Sequence, residues 1–296
     1  MIFDVVAIDH LDLLARFVVG FAALVVVPLV LRSAFTEADR PLPRAFQWIA
    51  AASFALALVV RTPIGGALVL PWGIAVTMMA GRAIAVQLRK VRSLSLPDVA
   101  LTAAFVYLPV GAIWAGAYRL GVPIGRFAGL ECLLTSAHFH YAGFGACALV
   151  ALLGRELGKD AGYTYRIGAV GTIVSIALVA AGITASHAVE RLSAWTLLAS
   201  VLLVDVNLVR LGLRSRGGAR VLLLVAPLAS VVAAGFAAHF AESGFATLDD
   251  YKLRRMLYLH GIVNAFGFVT LGLLGIWLRR RSEERQLAAG RTSVDG

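Results

Sequence analysis

Charged residues are scarce in this chain of 296 residues. They make up 15% of the sequence and hydrophobic residues make up 60%, whereas soluble domains average about 25% and roughly 45–50%. Acidic residues are the scarcer class, because 17 Asp and Glu stand against 27 Lys and Arg, a net charge of +10. These proportions exclude an ordinary soluble domain. A basic excess can indicate nucleic-acid binding, but the basic loops of a multi-pass membrane protein produce the same excess, and we expect no nucleic-acid partner.

Cysteine is nearly absent. Cys132 and Cys147 lie in one apolar segment, where a helix would separate them by about 22 Å. A disulfide needs Cα atoms about 4.4–6.8 Å apart, so the two cysteines cannot pair within that helix. A positive stretch ahead of the first apolar segment is also lacking, since Asp4, Asp9, His10 and Asp12 stand there. We therefore expect that segment to be a retained span and not a cleaved signal peptide.

Three catalytic motifs are missing from the sequence. A phosphate-binding lysine loop and a glycine fingerprint between strand and helix would indicate nucleotide or dinucleotide chemistry, and an HExxH motif would indicate a tightly spaced zinc site. Their absence disfavours nucleotide-driven pumping and dinucleotide chemistry. Any metal site would have to be assembled from separate helices.

Long apolar segments are abundant. Windows of about 20 mostly apolar residues predict membrane-spanning helices. Nine such windows occur, at residues 13–31, 46–60, 66–86, 98–118, 130–153, 167–188, 194–213, 220–240 and 256–278. They are continuous blocks and not short alternating strands, so the predicted fold is an all-α, polytopic transmembrane helix bundle. We expect one transmembrane domain over residues 1–281 in the inner membrane, with the lipid bilayer as partner, followed by a polar, disordered cytoplasmic tail at 282–296.

The distribution of basic residues predicts the orientation. With the N-terminus outside, 19 of the 27 lysines and arginines fall on the cytoplasmic side. Basic residues near span ends are retained on that side. The sequence therefore predicts an N-out, C-in protein with an odd number of spans.

All six histidines fall in the predicted outer half of the membrane. Five of them are candidate metal ligands: His138, His140, His187, His239 and His260. Glu131 and Glu190 lie at the same depth. Ionisable residues inside a membrane are rare and are candidates for function, although a histidine near a span end is more often an interfacial residue.

His138 and His140 lie in the fifth window. Residues two apart on a helix point about 200° away from each other, so this pair faces two different neighbours. A core role for one of them, hydrogen-bonded to an adjacent helix, is the alternative. Gly143 and Gly145 leave room for a close helix approach.

Two further polar positions lie deep in spans. His260 and Asn264 are one turn apart in the ninth window, and their polar stripe predicts either a substrate contact or adhesion between helices. Asp205 lies near the bilayer midplane, where a carboxylate must be protonated or paired. It is the candidate for proton coupling. A pair with Arg210 or hydrogen bonds to Asn207 are the alternatives.

Two sequence blocks carry a family resemblance. "LLTSAHFHYAGF" at 133–144 and "LHGIVNAFGF" at 259–268 resemble the paired signatures of the YndJ-like family of bacterial integral membrane proteins. The resemblance implies a transporter-like membrane protein without an established substrate. It also marks His138, His140, His260 and Asn264 as signature positions.

Transport is the function that we favour on these grounds. His138, His140 and His260 would form an outward-facing polar pocket for a small molecule or ion, and Asp205 would change its protonation. A zinc-dependent membrane hydrolase with Glu131 or Glu190 as general base is an alternative. A haem or quinone site using paired histidines is another. Whether the protein is an enzyme, and its oligomeric state, are left open.

Overall fold

The computed structural model describes residues 2–60, 64–89, 94–244 and 250–292. Nine helical units make up this described part of the chain. They are α1 (Ile2–Phe21, Ala22–Val26 and Val27–Ala34), α2 (Arg44–Val59), α3 (Ile64–Arg89), α4 (Leu96–Leu120), α5 (Leu130–His138, Phe139–Ala146 and Cys147–Leu157), α6 (Tyr163–Ala185), α7 (His187–Leu213), α8 (Gly217–Ser243) and α9 (Asp250–Arg255, Met256–Thr270 and Leu271–Thr292). The predicted all-α polytopic bundle is confirmed.

Eight of these units are long and apolar enough to cross a membrane, and α2 is a shorter apolar helix. Each of the nine predicted windows falls on one unit. The 16 residues of α2 span about 24 Å, which is less than the roughly 30 Å of a bilayer hydrocarbon core. The window at 46–60 therefore forms a helix that is too short to cross the bilayer unless the bilayer thins locally or the flanking residues extend the span.

The C-terminal residues differ from the prediction. α9 continues as a helix to Thr292, so the segment from 282 that we expected to be disordered is helical as far as that residue, and 293–296 lie outside the described residues. Arg279 forms an ion pair with Glu283 one turn later at 2.7 Å. The guanidinium of Arg281 lies over the ring of Trp277 at 4.4 Å. Such contacts one turn apart stabilise a polar helix.

Local sequence signals define the ends of α4. Ser95 precedes the helix, and its hydroxyl accepts a hydrogen bond from the Asp98 backbone N–H at 3.3 Å, as an N-cap residue does. The helix ends at Gly121, whose φ of +66° is a left-handed conformation that glycine adopts without strain.

α5 is the central helix of the bundle. In its apolar window 83% of the residues are buried, compared with 33% to 56% for the other long helices. It contacts α1, α4, α6, α7 and α9. The helix that carries both histidines of the fifth window is therefore enclosed by protein and not by lipid.

Three stretches have the wide hydrogen-bonding pattern of a π-helix: Ala22–Val26, Phe139–Ala146 and Met256–Thr270. π-helical turns are rare and frequent at functional sites. The stretches in α5 and α9 contact each other, and a Cβ on Gly145 would lie only 2.5 Å from Val269 Cγ1. The close approach expected at Gly145 is therefore present.

Hydrogen bonds and ion pairs of charged side chains hold each end of the bundle. At the end that includes the start of α1, Tyr118 donates to Asp12 at 2.5 Å and accepts from Arg16 Nε at 2.8 Å. At the opposite end, Glu156 of α5 pairs with both Arg279 and Arg280 of α9. Both networks link helices that are distant in sequence.

Candidate functional site

Two adjoining cavities lie inside the bundle, with volumes of about 200 Å³ and about 130 Å³. α5, α6 and α9 contribute to the walls of both, α1 and α4 complete the larger cavity, and α7 and α8 complete the smaller one. His138, His260 and Asn264 line both cavities. The structure thus brings together three of the four signature positions predicted from sequence.

His138 lines both cavities and has a ring nitrogen without a hydrogen-bond partner in the described ranges. Its Nε2 is buried and has no hydrogen-bond partner within the part of the chain that the structure describes. The imidazole packs edge-on against Phe139, with ring centroids 5.6 Å apart. A buried polar atom without a partner costs about 1–3 kcal/mol, so the atom is available for a ligand or water that enters the cavity.

His260 presents its imidazole from the facing helix. Its Nδ1–H donates to the backbone carbonyl of Ala233 at 2.9 Å. In the neutral ring the other nitrogen, Nε2, is then an acceptor. His138 and His260 lie close enough to interact electrostatically. Two imidazoles, each with one ring nitrogen available for a further hydrogen bond, therefore border the same space.

His140 does not belong to this site. Its side chain is fully buried, and it lies between Ser136 and Trp72. Its Nδ1–H donates to the Ser136 carbonyl at 2.8 Å, and its Nε2 accepts from Trp72 Nε1 at 3.3 Å. Both nitrogens are satisfied, so His140 is a neutral core residue. The pocket role predicted for it is corrected, because the turn of the helix directs it toward α3 and α4 and away from His138.

Three other sequence candidates lie apart from the cavities. The lining residues that the structure describes do not include Glu131, His187 or His239. Glu131 caps the start of α5 by accepting from the Ala128 backbone N–H at 3.3 Å. His187 Nε2–H donates to the Ala241 carbonyl at 2.9 Å. His239 is exposed beside Phe240.

The metal-ligand set expected for zinc is not assembled. Within the described residues no group of three His, Cys, Asp or Glu side chains could hold one metal ion. A catalytic zinc needs three protein ligands, and His138 with His260 supply two. The side chains present therefore do not fit a zinc centre.

Asp205 is buried in α7, with 5% of its surface exposed. Neither carboxylate oxygen has a hydrogen-bond partner within 3.5 Å among the described residues, but the Ser230 hydroxyl of α8 interacts with the carboxylate. Arg210 and Asn207, the partners considered from sequence, bond elsewhere: Arg210 donates to Thr164 at 3.1 Å, and Asn207 Nδ2 donates to the Leu203 carbonyl at 2.7 Å. They point away from Asp205 because residues two and five positions later lie on other faces of the helix.

Two hydroxyl residues of the smaller cavity were not predicted from the sequence. Thr172 of α6 and Ser230 of α8 line it, and both are 1% exposed. Serine and threonine in membrane helices ordinarily donate to a carbonyl one turn earlier, as Ser200 does to Thr196 at 2.7 Å. No sequence signal separates hydroxyls that do so from hydroxyls that face a cavity.

Comparison with known proteins supports the identification of the two sequence blocks. A family model described as YndJ-like protein matches residues 17–268. The chain is 27% identical over 225 residues to the uncharacterized membrane protein YndJ of Bacillus subtilis (strain 168), an alignment that covers 76% of this chain and 40% of that protein. The chain thus spans well under half of that relative's length. No solved structure is significantly similar to the chain. With the family model matching most of its length, the chain belongs to the YndJ-like family of membrane proteins.

Proposed function

We propose that this membrane protein is a transporter whose solute site is the pair of cavities lined by His138, His260 and Asn264. The observation that carries the proposal is the buried, unpartnered Nε2 of His138 beside His260. A polar atom left unsatisfied in a protein interior is expected where a ligand or ordered water completes the hydrogen bond. Asn264 lies one helical turn from His260 on the same cavity wall and offers an amide that both donates and accepts.

The lining of the larger cavity indicates the kind of solute. It includes no Asp, Glu, Lys or Arg among the described residues, and its walls carry Trp114, Phe127 and Tyr141. Among the described residues that line the smaller cavity, Glu190 is the one charged side chain, and it already has an interaction partner. A fully charged solute would therefore lack a free opposite charge in this low-dielectric site, which is costly. We infer a small, uncharged solute with an apolar body and one hydrogen-bonding group.

The cavities lie in the half of the bundle where α4 and α6 end and α5 and α7 begin. The count of basic residues assigns these helix ends to the outer face of the inner membrane. Asp205 lies beyond the smaller cavity, and we assign it the coupling role, with a charge that changes as access alternates. An uncompensated carboxylate at this depth is a common element of proton-coupled transport.

Cysteine accessibility tests alternating access without knowledge of the solute. Both native cysteines are buried and would be replaced by alanine. Ala142, which lines both cavities, would then be changed to cysteine. A charged, membrane-impermeant thiol reagent is applied to right-side-out and inside-out vesicles. We expect Ala142→Cys to be labelled from both sides.

Glu37→Cys provides the matched control, because Glu37 lies in the connection between α1 and α2 at the opposite end of the bundle. It should react from the cytoplasmic side alone. Labelling of Ala142→Cys from a single side would reject alternating access, and labelling of Glu37→Cys from the outside would reject the orientation.

A quinone-type or haem site is the second candidate, because two histidines border a cavity with aromatic walls. Absorption spectroscopy of the protein purified in mild detergent separates this candidate from transport. A haem Soret band or a quinone band that disappears in His138→Ala would favour the cofactor site.

A further inference from the structure

The connection between α4 and α5, residues 121–129, lies beside the larger cavity at the end of the bundle assigned to the outer face. Of its residues, all of which the structure describes, Phe127 alone is buried, with 6% of its surface exposed. The Phe127 side chain lines the cavity. Its ring meets Trp114 of α4 edge-on, with centroids 5.6 Å apart, and Trp114 lines the same cavity. The connection therefore inserts one aromatic side chain into the cavity.

The larger cavity reaches the protein surface next to this connection. Thr184, near the end of α6, lines the cavity and is exposed. The preceding residue, Ile183, also lines the cavity, and its carbonyl accepts a hydrogen bond from the Arg126 guanidinium at 2.7 Å. This guanidinium lies 5.2 Å from the centroid of the Phe127 ring. Arg126 is exposed and Phe127 is buried, so the ring lies on the cavity side of the contact with α6.

The connection is a compact turn between two glycines. Backbone hydrogen bonds of 3.0 and 3.1 Å join Ile124 and Phe127. The connection begins at Gly121 and ends at Gly129, with φ of +66° and +50°. Phe127 belongs to a small apolar cluster that is separate from the main core. Segments with few buried apolar contacts open locally at low cost, and lid motions turn on a few residues at the ends of the moving segment.

We propose that residues 121–129 form a lid over the outer mouth of the larger cavity, with Phe127 as its plug and the Arg126–Ile183 hydrogen bond as its latch. The lid rests on the proposed function, because it names the residues that admit the solute from the outer side. Displacement of the Phe127 ring opens the route from Thr184 toward His138. The apolar body of the solute can then take the place of that ring against Trp114.

The rate of cysteine labelling from the outside tests the lid. Ala142→Cys is placed in a chain that also carries Cys147→Ala and Cys132→Ser. Serine is chosen at position 132 because it can still donate to the Phe127 carbonyl, as the thiol does at 3.4 Å. A membrane-impermeant thiol reagent is added to right-side-out vesicles, and the rate of its reaction with Ala142→Cys is measured.

We expect outer labelling to become about tenfold faster in Phe127→Ala, which lacks the plug, and about fivefold faster in Arg126→Gln, which loses the latch. Cationic and anionic reagents are both used. The lost charge of Arg126 by itself would speed one reagent and slow the other, whereas an open lid speeds both.

Val122→Ala is the matched control, because Val122 belongs to the same connection and is 54% exposed; its labelling rate should equal that of the parent chain. Phe127→Leu, which keeps a large apolar side chain, should stay close to the parent rate. The lid is overturned if Phe127→Ala is labelled no faster than the parent, or if Val122→Ala rises equally. Should Phe127→Ala fail to fold, an unchanged rate in Arg126→Gln overturns it.

Failure of the lid and failure of the proposed function give different results. Labelling of Ala142→Cys from the outer side alone rejects alternating access, and the lid is still supported if that labelling becomes faster in Phe127→Ala. Labelling from both sides at rates that do not depend on Phe127 keeps alternating access and rejects the lid.

Discussion

Trp72 donates an indole N–H to the Nε2 of His140 over 3.3 Å, which ties α3 to the central helix α5. The two rings are nearly parallel, with an angle of 14° between them and 6.2 Å between centroids, and Phe54 of α2 stacks on both. The opposite side of the imidazole packs against Gly111 of α4, where a Cβ would lie 2.6 Å from Nδ1. One histidine thus joins four helices.

This arrangement predicts that His140→Ala destabilises the protein. The substitution leaves a cavity and an unpartnered indole N–H, effects that together amount to about 3–5 kcal/mol in protein cores. Thermal unfolding in detergent should show a clearly lower transition temperature. The exposed His239 provides the control, and His239→Ala should unfold as the wild type does. Equal transitions for His140→Ala and wild type would show that the stacked cluster is not structural.

His138→Ala should behave in the opposite way. Its Nε2 has no partner among the described residues, so removal of the ring eliminates an unsatisfied polar atom, which offsets the lost packing. We expect the free energy of unfolding of His138→Ala to lie within about 1 kcal/mol of the wild-type value. The same variant should lose solute transport. Comparison of the unfolding transitions of His138→Ala and His140→Ala separates a ligand-facing histidine from a core histidine. A large destabilisation by His138→Ala would mean that its ring is structural.

Glu156→Gln should weaken the end of the bundle opposite the cavities. Glu156 is 9% exposed and pairs with Arg279 at 3.0 Å and with Arg280. Breaking a buried pair costs about 3–5 kcal/mol; because the arginine side chains are 20% and 24% exposed, we expect the lower part of that range. Asp160→Asn, which breaks an exposed pair, should cost less than about 1 kcal/mol. Similar decreases in the free energy of unfolding for the two variants would show that the Glu156 ion pairs stabilise the protein no more than an exposed pair does.

Gly145→Ala should push apart the π-helical stretches of α5 and α9. The added Cβ would lie 2.5 Å from Val269 Cγ1, and forced contacts of this kind cost about 1–3 kcal/mol. Val269→Ala in the same chain removes the clashing methyl groups and should restore part of the lost stability. A double-mutant cycle from unfolding transitions measures this coupling. Strict additivity of the two substitutions would show that Gly145 and Val269 do not pack together.

Much of the architecture was predictable. Every apolar window corresponds to a helix because length and continuous apolarity are sufficient to specify a membrane helix. The end of the last helix was not predictable from polarity alone. The turns that directly follow the apolar window carry the Arg279–Glu283 and Trp277–Arg281 contacts, and contacts one turn apart maintain a helix after the apolar window ends.

The candidate site was predictable in part. His138, His260 and Asn264 line the cavities as the motifs suggested, whereas Glu131 and His187 bond to backbone groups at helix ends. Depth in the membrane can be counted along a helix, but the direction in which a side chain points depends on how neighbouring helices are packed.

Composition, segment length and the two-residue spacing of His138 and His140 determined by themselves that the protein is a helical membrane bundle and that the two rings face different surroundings. Tertiary structure alone decided which ring meets Trp72 and which meets a cavity, and that Asp205 lies beside Ser230 instead of pairing with Arg210. The physical reason is that helix geometry follows from local backbone hydrogen bonds, whereas partners across helices follow from which faces pack together.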